Sequence, residues 1–360
     1  MTRWMLVAPA SPTIGFGHLA RQRTLAQAVL ATGPRDEVVI VTTTGQHAQT
    51  AKAIPHLLVP LPLTLQNLAG VLTTRSVPDI LVLDAPDEHL EEMSWLRDFF
   101  GASEAGGKPR DRIRVPLLAA FRSHGIDSGT APFEHASLTP SFDEPTEVVE
   151  QTPRGPWRRL DGRNLLVVRP TTFAQQGRAK DQPARVLVTM GGADPTELTD
   201  LACEACLRLI AEARVTVIVG GLNQADRRLF ERFGAELEVI RQEECDVDDL
   251  LQRSEVAVIA GGLTRYECVA ARTPFVAVSA THAADGFTRK VVEAGFGVDA
   301  GPQRGLTPGH LAALIDGLLR DGASRERMRA AAATMIDRDA TEVLTERLRS
   351  WRAAQEAVQA

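Results

Sequence analysis

The chain has 360 residues, 44% hydrophobic and 24% charged, which suits a soluble globular protein too long for one ordinary core and fits two domains of about 150 residues. Its 40 Lys and Arg against 46 Asp and Glu leave a formal charge of −6. With no basic stripe interleaved with aromatics, that balance argues against a nucleic-acid partner, and Arg158-Arg159 reads as a solvated pair.

Short apolar or β-branched runs alternate with helical stretches, the pattern of parallel sheets built from βαβ units. In the first half the predicted strands are Met5–Ala10, Val38–Thr43, Ile80–Asp84, Leu117–Phe121 and Leu165–Val168, and the predicted helices His18–Thr32, Gln46–Ile54 and Leu90–Phe100. The apolar run Trp4–Ala10 behind Arg3 reads as a buried strand and not a signal peptide, and no stretch is long enough to span a bilayer, so a cytoplasmic protein with no integral membrane segment is expected. Directly behind this strand comes Gly15-Phe16-Gly17-His18-Leu19-Ala20-Arg21. Glycines Gly15 and Gly17 let the backbone approach a ligand. His18 falls in the first helical turn, where the dipole favours the uncharged ring, the form that takes up a proton. Thr139–Gly162, with Pro140, Pro145, Pro153 and Pro156 and few apolar residues, reads as a loop. Residues 169–183, polar with Gln175, Gln176 and Lys180, read as the linker after a first domain over 1–168.

The second half, 184–338, repeats the alternation. Strands are expected at Arg185–Met190, Val215–Gly220, Leu237–Ile240, Val256–Ala260 and Phe275–Val278, and helices at Leu198–Ala213, Gln224–Phe233, Thr264–Ala271 and Phe287–Ala294. Three glycine loops follow these strands: Gly191-Gly192-Ala193-Asp194-Pro195, Gly220-Gly221, and Gly261-Gly262-Leu263-Thr264. Ligands of parallel sheets sit at the carboxyl ends of strands, so this edge is expected to face a nucleotide, with the last loop as a diphosphate cradle. Thr264 suits a helix cap or a phosphate contact, and Glu267, one turn on, suits ribose hydroxyls or an ordinary first-turn acid. Asp246-Val247-Asp248-Asp249 reads as a capping run before the short helix Leu250–Arg253 and not as a metal triplet. Cys203, Cys206, Cys245 and Cys268 read as packed thiols, not a zinc site or a disulfide framework. From Thr307 the chain turns wholly helical, ending in a helix over 339–360, and one of these last helices is expected to cross back to the first domain.

Gly15-Phe16-Gly17-His18 with Arg21, Leu166-Val167-Val168-Arg169-Pro170 with Phe173, Val188–Pro195, and Gly261–Thr264 with Glu267 together resemble the two-domain GT-B nucleotide-sugar enzymes. The resemblance is to the spore-coat polysaccharide biosynthesis glycosyltransferases and the related UDP-sugar hydrolase of pseudaminic acid biosynthesis, and more distantly to the lipid-linked N-acetylglucosaminyltransferase of peptidoglycan synthesis. It implies an α/β, GT-B fold: two Rossmann-like parallel-sheet domains facing an interdomain cleft. It also implies His18 as catalytic base in the acceptor domain and a nucleotide-sugar site drawn from Gly15, Gly17, Gly191, Gly192, Asp194, Gly220, Gly261, Gly262, Leu263, Thr264 and Glu267. His282 and Asp285 join that set at the position where the family's Asn-Gln or Gln pair usually meets the sugar. The reaction inverts the anomeric centre and needs neither metal nor cofactor, the nucleotide sugar being a substrate beside a small-molecule acceptor.

The acceptor half departs from the pattern. Asp84 is followed by Ala85-Pro86-Asp87 where the hydrolase has a tyrosine, Phe121-Arg122-Ser123-His124 replaces paired aspartates, and Thr281-His282-Ala283-Ala284-Asp285 replaces the sugar-contacting amides. Three readings follow: a glycosyltransferase using a UDP-linked sugar, a nucleotide-sugar hydrolase, and a non-catalytic nucleotide-sugar-binding protein.

Overall fold

The computed structural model describes residues 1–43, 54–60, 63, 64, 67, 68, 71, 77–106, 116–122, 132–152, 155–173, 184–194, 196–279 and 282–359. The chain forms two compact units, one of Met1–Ala10, His18–Val167 and Asp339–Ala360, the other of Ser11–Gly17 and Val168–Arg338.

In the first unit, β1 (Arg3–Val7), β2 (Glu37–Thr42), β3 (His56–Leu58), β4 (Ile80–Asp84), β5 (Leu117–Phe121), β6 (Ala136–Pro140), β7 (Thr146–Thr152) and β8 (Gly155–Gly162) form one sheet in the order β3-β2-β1-β4-β5-β6-β8-β7. All neighbours are parallel except the β7–β8 hairpin. Every residue of β4 and β5 is buried, as expected of strands covered on both faces, which is why they read as unbroken apolar runs. Helices α1 (Gly17–Thr32), α2 (Asp87–Glu92) and α3 (Trp95–Gly106) follow β1 and β4. Met5, Val7, Leu81, Leu83, Leu90, Met93 and Phe100 share one core cluster.

In the second unit, β9 (Ala184–Thr189), β10 (Ala213–Val219), β11 (Glu238–Arg241), β12 (Val256–Ile259), β13 (Phe275–Ser279) and β14 (Val298–Pro302) form a parallel sheet in the order β11-β10-β9-β12-β13-β14. Helices α4 (Leu198–Cys206), α5 (Asp226–Phe233), α6 (Val247–Arg253), α7 (Thr264–Ala270), α8 (His282–Glu293), α9 (Pro308–Arg320) and α10 (Gly322–Ala332) alternate with the strands or follow them. Val188, Val217, Val258, Leu198, Phe233, Leu311 and Ile315 lie in its core. The last helix, α11 (Ala340–Gln359), belongs to the first unit, where Leu344 and Leu348 are buried and Arg349 pairs with Asp36 at 3.0 Å.

Each sheet runs outward in both directions from a central pair, β1 with β4 and β9 with β12. At such a switch point the loops from neighbouring strand ends part to opposite sides and leave a crevice at the carboxyl edge.

The structure corrects several expectations. Thr139–Gly162 is mostly sheet: β7 is a largely exposed edge strand, so its polar sequence needs no apolar face, and Pro156 lies outside the stretch of β8 paired with β6, where its missing N–H costs no ladder bond. Leu165–Val168 is no strand, since Arg163–Leu165 is a 3-10 turn, and the run is apolar because all four residues are buried. The helix over Leu198–Ala213 stops at Cys206, and Ala213 already pairs with Ala184 in the sheet. The stretch Leu90–Phe100 spans two helices, with three-residue turn bonds at Met93 and Ser94. Strands β3, β6 and β14 were not anticipated. In the helix expected at Gln46–Ile54, residues 46–53 lie outside the described residues.

Candidate functional site

β1 leads through the glycine loop Ser11–Gly17, a segment of the second unit, into α1, which places His18 of the first unit in the opening turn, and the adjacent β4 ends in Asp84. His18 Nδ1 lies 2.7 Å from Asp84 Oδ1. Arg21, one turn along α1, donates from Nε to Oδ2 at 2.7 Å and from Nη2 to Oδ1 at 2.6 Å, and Gln22 Nε2 donates to Oδ2 at 3.0 Å. The guanidinium also lies over the Phe121 ring at 4.5 Å, a contact that fixes its plane. Asp84 is fully buried, and burial opposes its charge, but Arg21 and then His18 outweigh that and bring the carboxyl down to about 2. An ionised carboxylate only accepts, so the ring proton sits on Nδ1 and the Nε2 lone pair is left to take a proton. The imidazole is 19% exposed while its partner is sealed. A base held in one tautomer by a buried acid is the arrangement that activates hydroxyl nucleophiles.

In the second unit, the loop between β12 and α7 turns through Gly261 and Gly262 at φ of +89° and +63°. Two successive residues in this region favour glycine, which has no Cβ to clash. Leu263, not Thr264, takes the cap position, so the expected capping use of the Thr264 hydroxyl falls away. Glu267 lies 3.5 Å from Arg169, and burial pushes its carboxyl up, Arg169 opposing and Asp248 adding to the rise.

The other anticipated residues divide by what holds them. Asp194 turns both oxygens on the start of α4, accepting from the backbone N–H groups of Leu198 and Thr199, each at 2.8 Å. Its carboxylate is thus a helix cap, in a residue with positive φ. Gly220 is required by packing: a Cβ there would meet the Gly191 carbonyl at 2.2 Å. Gly191 and Gly192 form the loop after β9, with Leu222 N–H bonded to the Gly192 carbonyl at 2.8 Å, which ties two of the three glycine loops together. Gly15, also at positive φ, and Gly17 precede His18 as expected. His282 and Asp285 fall on the first turns of α8, and their side chains lie outside the described residues, as do Ser123, His124 and Thr281. Of the acidic run, Asp246 caps α6 through the N–H groups of Asp248 and Asp249. Asp248 does not cap: it accepts from Arg169 at 2.6 Å, Thr171 at 2.6 Å and Thr172 at 2.7 Å. Among the described residues no group of three or more His, Cys, Asp and Glu could hold a metal ion, and no helix is long and apolar enough to cross a membrane.

No family model and no curated protein matches this chain. Solved structures resemble it along its whole length. The spinosyn rhamnosyltransferase SpnG complexed with thymidine diphosphate is 16% identical with a TM-score of 0.65, covering 97% of this chain and 100% of that one. The calicheamicin glycosyltransferase CalG4 is 13% identical with a TM-score of 0.61, covering 97% and 98%, and Acinetobacter baumannii MurG is 13% identical with a TM-score of 0.60, covering 97% and 100%. These neighbours are GT-B glycosyltransferases, and the two parallel-dominated sheets have the GT-B fold expected from the sequence.

Proposed function

We propose that the protein is an inverting glycosyltransferase that uses a UDP-linked sugar, with His18 as general base, within or beside the spore-coat polysaccharide and pseudaminic acid pathway family. The observation that carries this reading is the ionised, buried Asp84 holding His18 Nδ1 at the switch point of the first sheet. In the proposed reaction His18 Nε2 removes the proton of the acceptor hydroxyl as its oxygen bonds to the anomeric carbon. The bond to the nucleoside diphosphate breaks, and attack opposite the leaving group inverts the centre. The glycine loop at Gly261, Gly262, Leu263 and Thr264 meets the diphosphate with backbone N–H groups, and Glu267 accepts from ribose hydroxyls. Backbone donors then stabilise the leaving group without a metal.

The glycosyltransferases among the neighbours support a nucleotide-sugar substrate, and thymidine diphosphate bound to one of them brings TDP-sugars into the trial. A putative UDP-N-acetylglucosamine 2-epimerase from Listeria monocytogenes is also similar, at 15% identity and a TM-score of 0.57, so epimer formation is followed too. The test is incubation with UDP- and TDP-sugars, with and without hydroxyl acceptors, read by NMR. A glycoside of inverted configuration formed only with acceptor supports transfer. Free sugar released at the same rate without acceptor makes the protein a hydrolase, an epimerised sugar makes it an epimerase, and binding without turnover makes it a sensor.

A further inference from the structure

Asp248 belongs to the acidic run at the start of α6, yet its side chain is only 7% exposed and serves a different segment. Its two oxygens accept from three side chains of Arg169–Thr172, and Gln252, one turn along α6, donates to the Thr171 carbonyl at 2.6 Å. The chain enters the second unit at Val168, so this clamp seizes it at the next residue. The Arg169 guanidinium, held at 2.6 Å by Asp248, lies 3.5 Å from Glu267 on α7. One acid thus aims a cation at another acid.

We propose that Asp248, through Arg169, is a positioning residue for nucleotide binding: it holds the guanidinium against Glu267 and thereby fixes that carboxylate to accept from the ribose hydroxyls of a nucleoside diphosphate. The inference rests on the reading of Glu267 as the ribose acceptor. At 3.5 Å the guanidinium balances the charge of Glu267 without a short hydrogen bond that would use up its oxygens. Burial pushes the Glu267 carboxyl up, Arg169 opposes this, and Asp248 adds to it. Without Arg169 the influence that opposes this rise is lost while Asp248 still adds to it, so the Glu267 carboxyl moves further up, toward loss of acceptor capacity. A mere staple for residues 169–172 would serve folding and leave ribose recognition untouched.

The experiment is calorimetric titration of wild type, Asp248→Asn, Arg169→Gln and Arg169→Lys with UDP, its 2′,3′-dideoxy analogue and inorganic pyrophosphate. Wild type is expected to prefer UDP over the dideoxy analogue by about tenfold or more, the value of hydrogen bonds to a charged acceptor. In Asp248→Asn and Arg169→Gln the preference falls to within about threefold while pyrophosphate affinity stays within about twofold, and Arg169→Lys, which keeps a cation, retains most of the preference. An undiminished preference in folded Asp248→Asn and Arg169→Gln overturns the inference and leaves the Glu267 reading standing, and so does equal weakening of pyrophosphate. Absence of preference, or of UDP binding, in wild type overturns both. Should Asp248→Asn fail to fold, Arg169→Gln decides alone, because that side chain is 38% exposed.

Discussion

Arg21 takes both oxygens of Asp84, at 2.7 and 2.6 Å, on the carboxylate that also holds His18. Burial opposes the charge of Asp84, and Arg21 is the largest of the groups that offset it. The neighbouring cation just past β5, Arg122, is committed to Glu134 and Glu91. Arg21→Gln removes the largest influence offsetting burial, so the Asp84 carboxyl should rise from about 2. The acid limb of kcat/KM should therefore move to higher pH, because a protonated Asp84 no longer holds the ring with Nε2 free, so that activity at pH 6 falls more than at pH 8.5. A pH-rate profile of the folded variant with an unmoved limb would remove Arg21 from this role.

His18→Ala should lower kcat by about 10²–10⁴, the usual share of general-base catalysis, while the Kd of the nucleotide sugar stays nearly constant. Steady-state kinetics and calorimetry on the same preparation check this. Near-normal turnover would leave His18 as a polar residue in a structural turn.

Glu267 has its carboxyl raised by burial, so its acceptor form is lost as pH falls from a higher starting point than for an exposed glutamate. UDP affinity should weaken across that acid range in wild type and stay flat in Glu267→Gln. Glu267→Ala should weaken UDP more than pyrophosphate, by about 1–3 kcal/mol. Parallel titrations of the two ligands at several pH values decide it, and equal losses for both place Glu267 away from the ribose.

His135 is held down to about 4 by burial and then by the cations of Arg97 and Arg352, while its Nδ1 accepts the Leu118 N–H at 3.0 Å. The unfolded chain binds this proton near pH 6.5 and the folded one only near pH 4. The stability due to the neutral ring is therefore complete above pH 6.5 and is lost as pH falls toward 4, on the order of 3 kcal/mol. His135→Gln, which keeps an acceptor but does not titrate, should show a flatter Tm against pH. Identical slopes would discount the histidine.

Much of the architecture was legible because buried parallel strands advertise themselves: Ile80–Asp84 and Leu117–Phe121 were read to the residue. The β7–β8 hairpin was not, since an exposed edge strand carries no apolar run and its prolines read as loop. The His18 loop was visible as a motif, but its partner was not. Asp84 is 66 residues away, and only the adjacency of β1 and β4 brings it to the ring; an acid ending a fully apolar strand was the available signal. Asp246 and Asp248 looked alike because spacing alone suits either to cap a helix. What separates them is the distant segment Arg169–Thr172, which periodicity cannot reveal.

The return of α11 to the first sheet affects how the protein is made. Residues of the first unit emerge from the ribosome at the start, but Asp36 waits for Arg349, and Glu147 for Arg347. The intervening residues 168–338 form a self-contained sheet with its own core, so the second unit can mature during synthesis while the earlier one stays open. The ion pairs that join α11 to the rest of the first unit can therefore form only after the whole of 168–338 has been synthesised.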